Sequence, residues 1–156
     1  MRKILLTLLL ISFGLASYAN DFNEVRQFFN NFISAGNNYE SNYFDYYSPN
    51  PHIERIVIKK DGSRKVVVVP MSEFKKHSKL NLKIGKLRHY KNNYSNIKIS
   101  QEGENYKLTA MRQPSTSAYK LPVEYLIGKD TSGQWKIKEE SMHTKVQAFL
   151  KKGDKD

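Results

Sequence analysis

The sequence predicts an α+β fold in which N-terminal helices pack on one face of an antiparallel sheet. Three observations carry that reading. Apolar residues recur at helical spacing from Phe22 onward. β-Branched runs then flank the pair Asp61-Gly62. Two-residue alternation of apolar and polar side chains fills much of the C-terminal half, as a sheet covered on one side requires.

The elements follow in order. Phe22, Val25, Phe29, Phe32 and Ile33, with Phe28 beside them, mark a helix from its expected cap Asp21 to Ala35. Gly36-Asn37-Asn38 ends it. Tyr39, Tyr43 and Tyr47 stand at four-residue steps and predict a second short helix, stopped by Ser48-Pro49-Asn50-Pro51. Residues 53–58 and 65–69 read as a hairpin turned by Lys60-Asp61-Gly62-Ser63. Ser72-Glu73-Phe74 opens a third helix, to about Leu80. Strands are expected over 94–100, with Ile97 and Ile99 on one face, and over 106–112. Tyr119, Leu121, Val123, Tyr125 and Ile127 alternate in the next strand, and Trp135 and Ile137 start the last.

Ahead of these elements, Met1-Arg2-Lys3 leads into a mostly apolar run over 4–16 and then Ser17-Tyr18-Ala19. Small residues stand at the two positions a signal peptidase reads, so residues 1–19 predict a secretory signal peptide cleaved after Ala19. The run is shorter than the roughly 20 residues of a membrane span. An uncleaved anchor is the rival reading, and the membrane is then a partner only through that segment. A lipid anchor is excluded, because no cysteine exists to carry it. The expected location is the periplasm or exterior of a bacterium, away from NAD and ATP, and no cofactor is expected. Residues 20–145 would form one domain and 146–156 a charged tail.

The absence of cysteine also excludes disulfides, a thiolate metal site and a cysteine nucleophile. The net charge is +11, and +9 once Arg2 and Lys3 are removed. Such a surface favours polyanions: nucleic acid, anionic lipid or envelope polymers. The lysines are spread along the chain, however, and the chain is rich in Lys, Asn, Ile and Tyr together. A bias toward AT-rich codons accounts for them equally well. Export makes nucleic acid an unlikely partner.

The order of elements resembles the nuclear transport factor 2-like superfamily, the cystatin-like cone fold. The resemblance rests on Phe28-Phe29-Asn30-Asn31-Phe32, on Tyr46-Tyr47-Ser48-Pro49, and on Asp130-Thr131-Ser132-Gly133-Gln134-Trp135-Lys136-Ile137. The hairpin over 53–69 is similar to that of a group of exported bacterial members. What the resemblance implies is a curved sheet wrapped around helices, enclosing a conical cavity. Members include isomerases, dehydratases, hydrolases, ligand-binding modules, dimerising scaffolds and accessory domains of secretion and cell-wall machinery. Many dimerise through the outer face of the sheet. The fold alone does not choose among these.

Candidate site residues come from the inward faces. After Tyr106, Leu108 and Ala110 the next same-face residue is Arg112; after Trp135 and Ile137 it is Glu139. The two could pair at a cavity mouth, as an anion anchor, as a base held by an arginine, or as a structural ion pair. His89, just before the long strands, could reach the same mouth. The resemblance implies that an acid near the second helix can serve as a base, and Asp45 stands there among aromatics. Tyr43 and Tyr47 could line a pocket with their hydroxyls, or fill the core. His52, His77, His89 and His143 show no metal-ligand spacing, and no metal is expected. No nucleophile elbow and no phosphate-cradling glycine loop is present. The expectation is an exported, non-catalytic binding or accessory module with a cone-shaped pocket. Its partner would be a small ligand or an envelope protein, with a homodimer as a further option. The alternatives are a small pocket enzyme of the same fold, or a polyanion-binding envelope protein.

Overall fold

The computed structural model describes residues 2–151, with side chains from 20 to 150. Of the expected C-terminal tail, residues 152–156 lie outside them. Helix α1 spans Arg2–Asn37 and runs through the expected cleavage point. A 3-10 turn over Ser41–Tyr46 leads into strand β1, Tyr47–Ile58, which pairs with β2, Arg64–Val68. Helix α2, Met71–Leu87, follows. Strands β3 (Asn92–Glu102), β4 (Asn105–Pro114), β5 (Leu121–Lys129) and β6 (Trp135–Thr144) complete the sheet. A short 3-10 turn over Gln147–Lys151 crosses β1 and β2. Among the described residues no helix is long and apolar enough to cross a membrane.

The six strands form one sheet in the order β2-β1-β6-β5-β4-β3. It is mixed, not wholly antiparallel: β1 lies parallel to β6, while every other neighbouring pair is antiparallel. The reason is the connection. A hairpin must be antiparallel, but α2 separates the β1–β2 hairpin from the meander β3–β6, so the hairpin can dock on the last strand in either sense. Extra residues bend three strands. Asn96 adopts φ 54° in β3, β1 shifts register against β6 between Tyr47 and His52, and β6 shifts against β5. Such bulges curl a sheet, here around the helix side.

The core follows from the helical spacing that the sequence shows. Val25, Phe29, Phe32 and Ala35 are buried on one face of α1. Phe29 meets Tyr94 and Tyr125 at ring distances of 5.5 and 5.3 Å, and Phe22 meets Tyr106 edge-on at 5.1 Å. Ile53, Val57, Leu108, Val123, Ile127 and Ile137 supply the sheet side and are fully buried. The outer face of the sheet is mostly polar, with a Lys107–Glu124 ion pair of 2.9 Å. Its strongly exposed apolar side chains, Val66 and Val68, sit on edge strand β2.

Four expected assignments move. The second helix is a 3-10 turn, and Tyr39, Tyr43 and Tyr47 do not share a helical face. Tyr39 is left-handed at φ 60° and Tyr47 opens β1. Ser48-Pro49-Asn50-Pro51 does not end an element but forms the bulged start of β1. Prolines are tolerated there because the ladder is already interrupted. Helix α2 runs to Leu87 rather than Leu80, and Tyr119 precedes β5 instead of belonging to it.

Both helices end on the same backbone motif. In α1, Tyr39 N–H bonds Gly36 O at 3.3 Å and Glu40 N–H bonds Ala35 O at 2.9 Å. In α2, His89 N–H bonds Lys86 O at 3.4 Å and Tyr90 N–H bonds Gly85 O at 2.9 Å. These are Schellman ends, whose left-handed position is usually glycine. Here Tyr39 and His89 hold it. The exposed His89 side chain makes no hydrogen bond among the described residues, so nothing compensates its backbone strain. His89→Gly is therefore expected to raise stability by about 1 kcal/mol, read as a higher urea midpoint at unchanged slope. Tyr39→Gly is expected to lower it, because the Tyr39 hydroxyl donates to Tyr90 O at 2.6 Å.

Candidate functional site

The inner face of β1 carries Ile53, Arg55 and Val57. In the parallel register Ile53 stands opposite Glu140 and Arg55 opposite Met142. Arg55 and Glu140 are thus diagonal neighbours on one face, and both are buried. Arg55 Nη2 lies 2.8 Å from Glu140 Oε1. The contact is off the axis of the N–H bonds, so it is an ion pair rather than an aligned hydrogen bond. The Tyr47 hydroxyl donates to Glu140 Oε2. Tyr43 extends the row, its hydroxyl 3.5 Å from that of Tyr47. Arg55 also donates through Nη1 to Glu54 O at 2.8 Å. Its guanidinium lies 5.6 Å from the Phe74 ring and 5.9 Å from the Phe149 ring.

A second polar group lies toward β3. The Tyr94 and Tyr125 hydroxyls are 3.4 Å apart. Arg112 donates to the Tyr90 hydroxyl at 2.9 Å and to Met142 Sδ at 3.2 Å. Burial raises the pKa of Tyr43, Tyr47, Tyr94 and Tyr125, and the Glu140 charge adds to the rise in each. All four therefore remain protonated at neutral pH and act as hydroxyls, not phenolates.

Little space is left. A half-open cavity lined by Phe32, Ile33, Gly36, Asn37, Tyr43, Asn92 and Tyr94 holds about 20 Å³. That admits one water. Gly36 is needed at its wall, since a Cβ there would stand 3.0 Å from Tyr43 Cε2. A second depression of about 220 Å³ is open to solvent and is lined by Phe28, Asn42, Asp45, Tyr46, Trp135 and Lys136. Among the described residues no three His, Asp or Glu side chains are grouped to hold a metal.

The structure brings together only part of the predicted set. Tyr43 and Tyr47 point into the cone, and Arg112 lies half-buried at its side. Glu139 does not pair with Arg112; it is exposed on the outer face. The cause is one extra residue, Lys138. Leu126 faces Glu139 but Ile127 faces Ile137, so alternation slips and Glu140 takes the inward position. Asp45 is exposed on the 3-10 turn, where its carbonyl accepts from Lys136 Nζ at 2.7 Å. His89 is exposed at the end of α2. Arg55 and Glu140 are not among the residues that alternation in the long strands singles out. Arg55 was visible as a cation alternating with Ile53 and Val57, whereas the bulge hid Glu140.

The buried pair yields two predictions. Glu140→Leu leaves Arg55 buried without a counter-charge and is expected to cost about 3–5 kcal/mol; Arg55→Met with Glu140→Leu is expected to recover most of that, by urea denaturation of all three proteins. The tyrosines set the alkaline limit. Their pKa values are higher folded than unfolded, so above the unfolded value of about 10 the unfolded chain releases protons that the folded chain keeps. Their contribution is complete below that pH and is lost as pH rises through the folded values. Melting temperature should therefore fall steeply above about pH 10, and less steeply in Tyr47→Phe.

No family model and no curated protein matches the chain. Solved structures do. An NTF2-like protein with a cystatin-like fold from Novosphingobium aromaticivorans aligns over 88% of this chain and 93% of its own, at 9% identity and TM-score 0.63. An NTF2-like protein of unknown function from Pseudomonas putida covers 78% and 84%, at 10% identity and TM-score 0.60. A candidate dehydratase of the NTF2-like family from Streptomyces avermitilis covers 80% and 96%, at 10% identity and TM-score 0.59. At such identities the likeness is one of architecture, and it agrees with the curved sheet and helix placement described above: the chain has the nuclear transport factor 2-like, cystatin-like fold.

Proposed function

We propose that the protein is an exported, non-catalytic binding or accessory module that works through its outer surface and not through the cone. The observation that carries this reading is the filled cone. Phe29, Phe32, Tyr43, Tyr47, Tyr94 and Tyr125 occupy the space between α1 and the sheet, and the cavity beside Tyr43 and Tyr94 holds about 20 Å³. Small-ligand sites run to about 300–1,000 Å³. The acids and bases also fail to converge. Asp45, His89 and Glu139 are exposed, and Glu140 is taken up by Arg55 and Tyr47. The outer face of the sheet gives limited support to a homodimer, since its strongly exposed apolar side chains are Val66 and Val68 at one edge.

A pocket enzyme of the isomerase, dehydratase or hydrolase type is the second reading. It is favoured by one feature, the Tyr43 and Tyr47 hydroxyls converging on a buried carboxylate. Titration with an apolar fluorescent probe, and melting curves with steroid-sized and phenolic ligands, separate the two. No saturable binding is expected. A saturable rise in melting temperature that Tyr47→Phe abolishes would replace the surface reading with the pocket reading. Export has its own measurement: the protein recovered from the periplasm or medium is expected to begin Asn20-Asp21-Phe22. A cytoplasmic chain retaining Met1 would defeat that part.

A further inference from the structure

Helix α2 carries three distinct faces. The one packed on the sheet holds Phe74 and Gly85, with Met71, Ser78 and Leu82 half-buried beside them. On the opposite side Leu80, Ile84 and Leu87 are 56%, 39% and 83% exposed. Successive residues turn by about 100° around a helix axis, so these three share one stripe. Along one flank, between stripe and sheet, stand Lys75, Lys76, Lys79, Lys83 and Lys86. All five are exposed, and among the described residues none forms an ion pair. Glu73 is the single acid in the helix.

We propose that this face of α2 docks on a bilayer surface bearing anionic lipid. The stripe enters the boundary between headgroups and acyl chains. The lysines lie at headgroup level, with their stems along the apolar surface. Charge chooses the occupant. An apolar stripe alone would fit many partners, but a flank of five lysines without ion-pair partners among the described residues is complementary to a dense negative surface. The same flank opposes antiparallel packing on a second copy of the chain, which would bring two lysine rows together. This inference deepens the surface-module reading and rests on it.

Co-sedimentation of the exported protein with vesicles tests the proposal. One set is phosphatidylcholine alone; the other is phosphatidylcholine mixed with phosphatidylglycerol. The protein is expected to sediment with the mixed vesicles, to ignore the neutral ones, and to be released by salt. Leu80→Ser with Ile84→Ser and Leu87→Ser is expected to weaken binding at least about tenfold. Its melting temperature should stay near that of the parent, since the three side chains are exposed. Lys79→Gln with Lys83→Gln is expected to weaken binding about tenfold, and Lys98→Gln with Lys120→Gln less than about twofold. Absence from the mixed vesicles, equal sedimentation with both sets, or an unchanged triple serine variant overturns the proposal. Capture by polyglutamate without vesicle binding overturns it in favour of an acidic protein partner. None of these outcomes bears on ligand binding in the cone, which the probe titration reads separately.

Discussion

Glu140 and Arg55 face each other across the parallel junction of β1 and β6, and much of the fold is arranged around the cost of burying them. Each ion loses several kcal/mol of hydration in such a place, which mutual attraction offsets only if neighbouring groups complete the hydrogen bonding. Tyr47 supplies one of those bonds from the first residue of β1. Phe74 and Phe149 close over the guanidinium. The pair also constrains register. Moving β1 by one residue against β6 would turn Arg55 to solvent and leave Glu140 alone in the core. A purely apolar junction between two β-branched strands would tolerate that slip more easily.

The helix ends form a second set of constraints at the other side of the cone. Asn37 receives Asn92 N–H on Oδ1 at 2.8 Å and donates from Nδ2 to Asn92 O at 3.0 Å. Tyr39 crosses from the end of α1 to the carbonyl of Tyr90, its ring 3.1 Å from where a Gly85 Cβ would be. The strained conformation at Tyr39 is thus offset by what its side chain reaches. His89 has no such return. The two Schellman ends lie together because of these contacts, and they fix where β3 begins.

The sequence was informative where a single period governs. The face of α1 is regular, and the turn at Asp61-Gly62, with φ 85° at Gly62, follows from its two residues. Alternation located β4 and β5 within a few residues. Where a period breaks, the reading broke with it. Lys138 looks like any strand lysine, yet as the extra residue it reverses the face of everything after it, so plain alternation points to Glu139 and not to Glu140. The parallel pairing was illegible for another reason. It joins residues more than eighty positions apart, and neither strand carries a local mark of its neighbour's direction. The tyrosines at 39, 43 and 47 imitate a helical repeat, but Pro49 and Pro51 favour extended backbone close behind them.

The cone and the outward face of α2 are linked through Phe74. Its ring lies 5.2 Å from Tyr47 and 6.2 Å from Phe44, and it covers Arg55. This one side chain, with Gly85 a few turns on, sets how α2 sits on the sheet. The direction in which Leu80, Ile84 and Leu87 point thus follows from how Phe74 and Gly85 seat the helix beside the buried ion pair. Those three residues add nothing to the core, and an exposed apolar row invites self-association. The lysine flank opposes that association between like molecules while leaving the row open to a negatively charged surface. A filled cone and an exposed amphipathic helix thus belong to one arrangement. The interior holds α2 in place, and the apolar row and the lysines are presented on its far side.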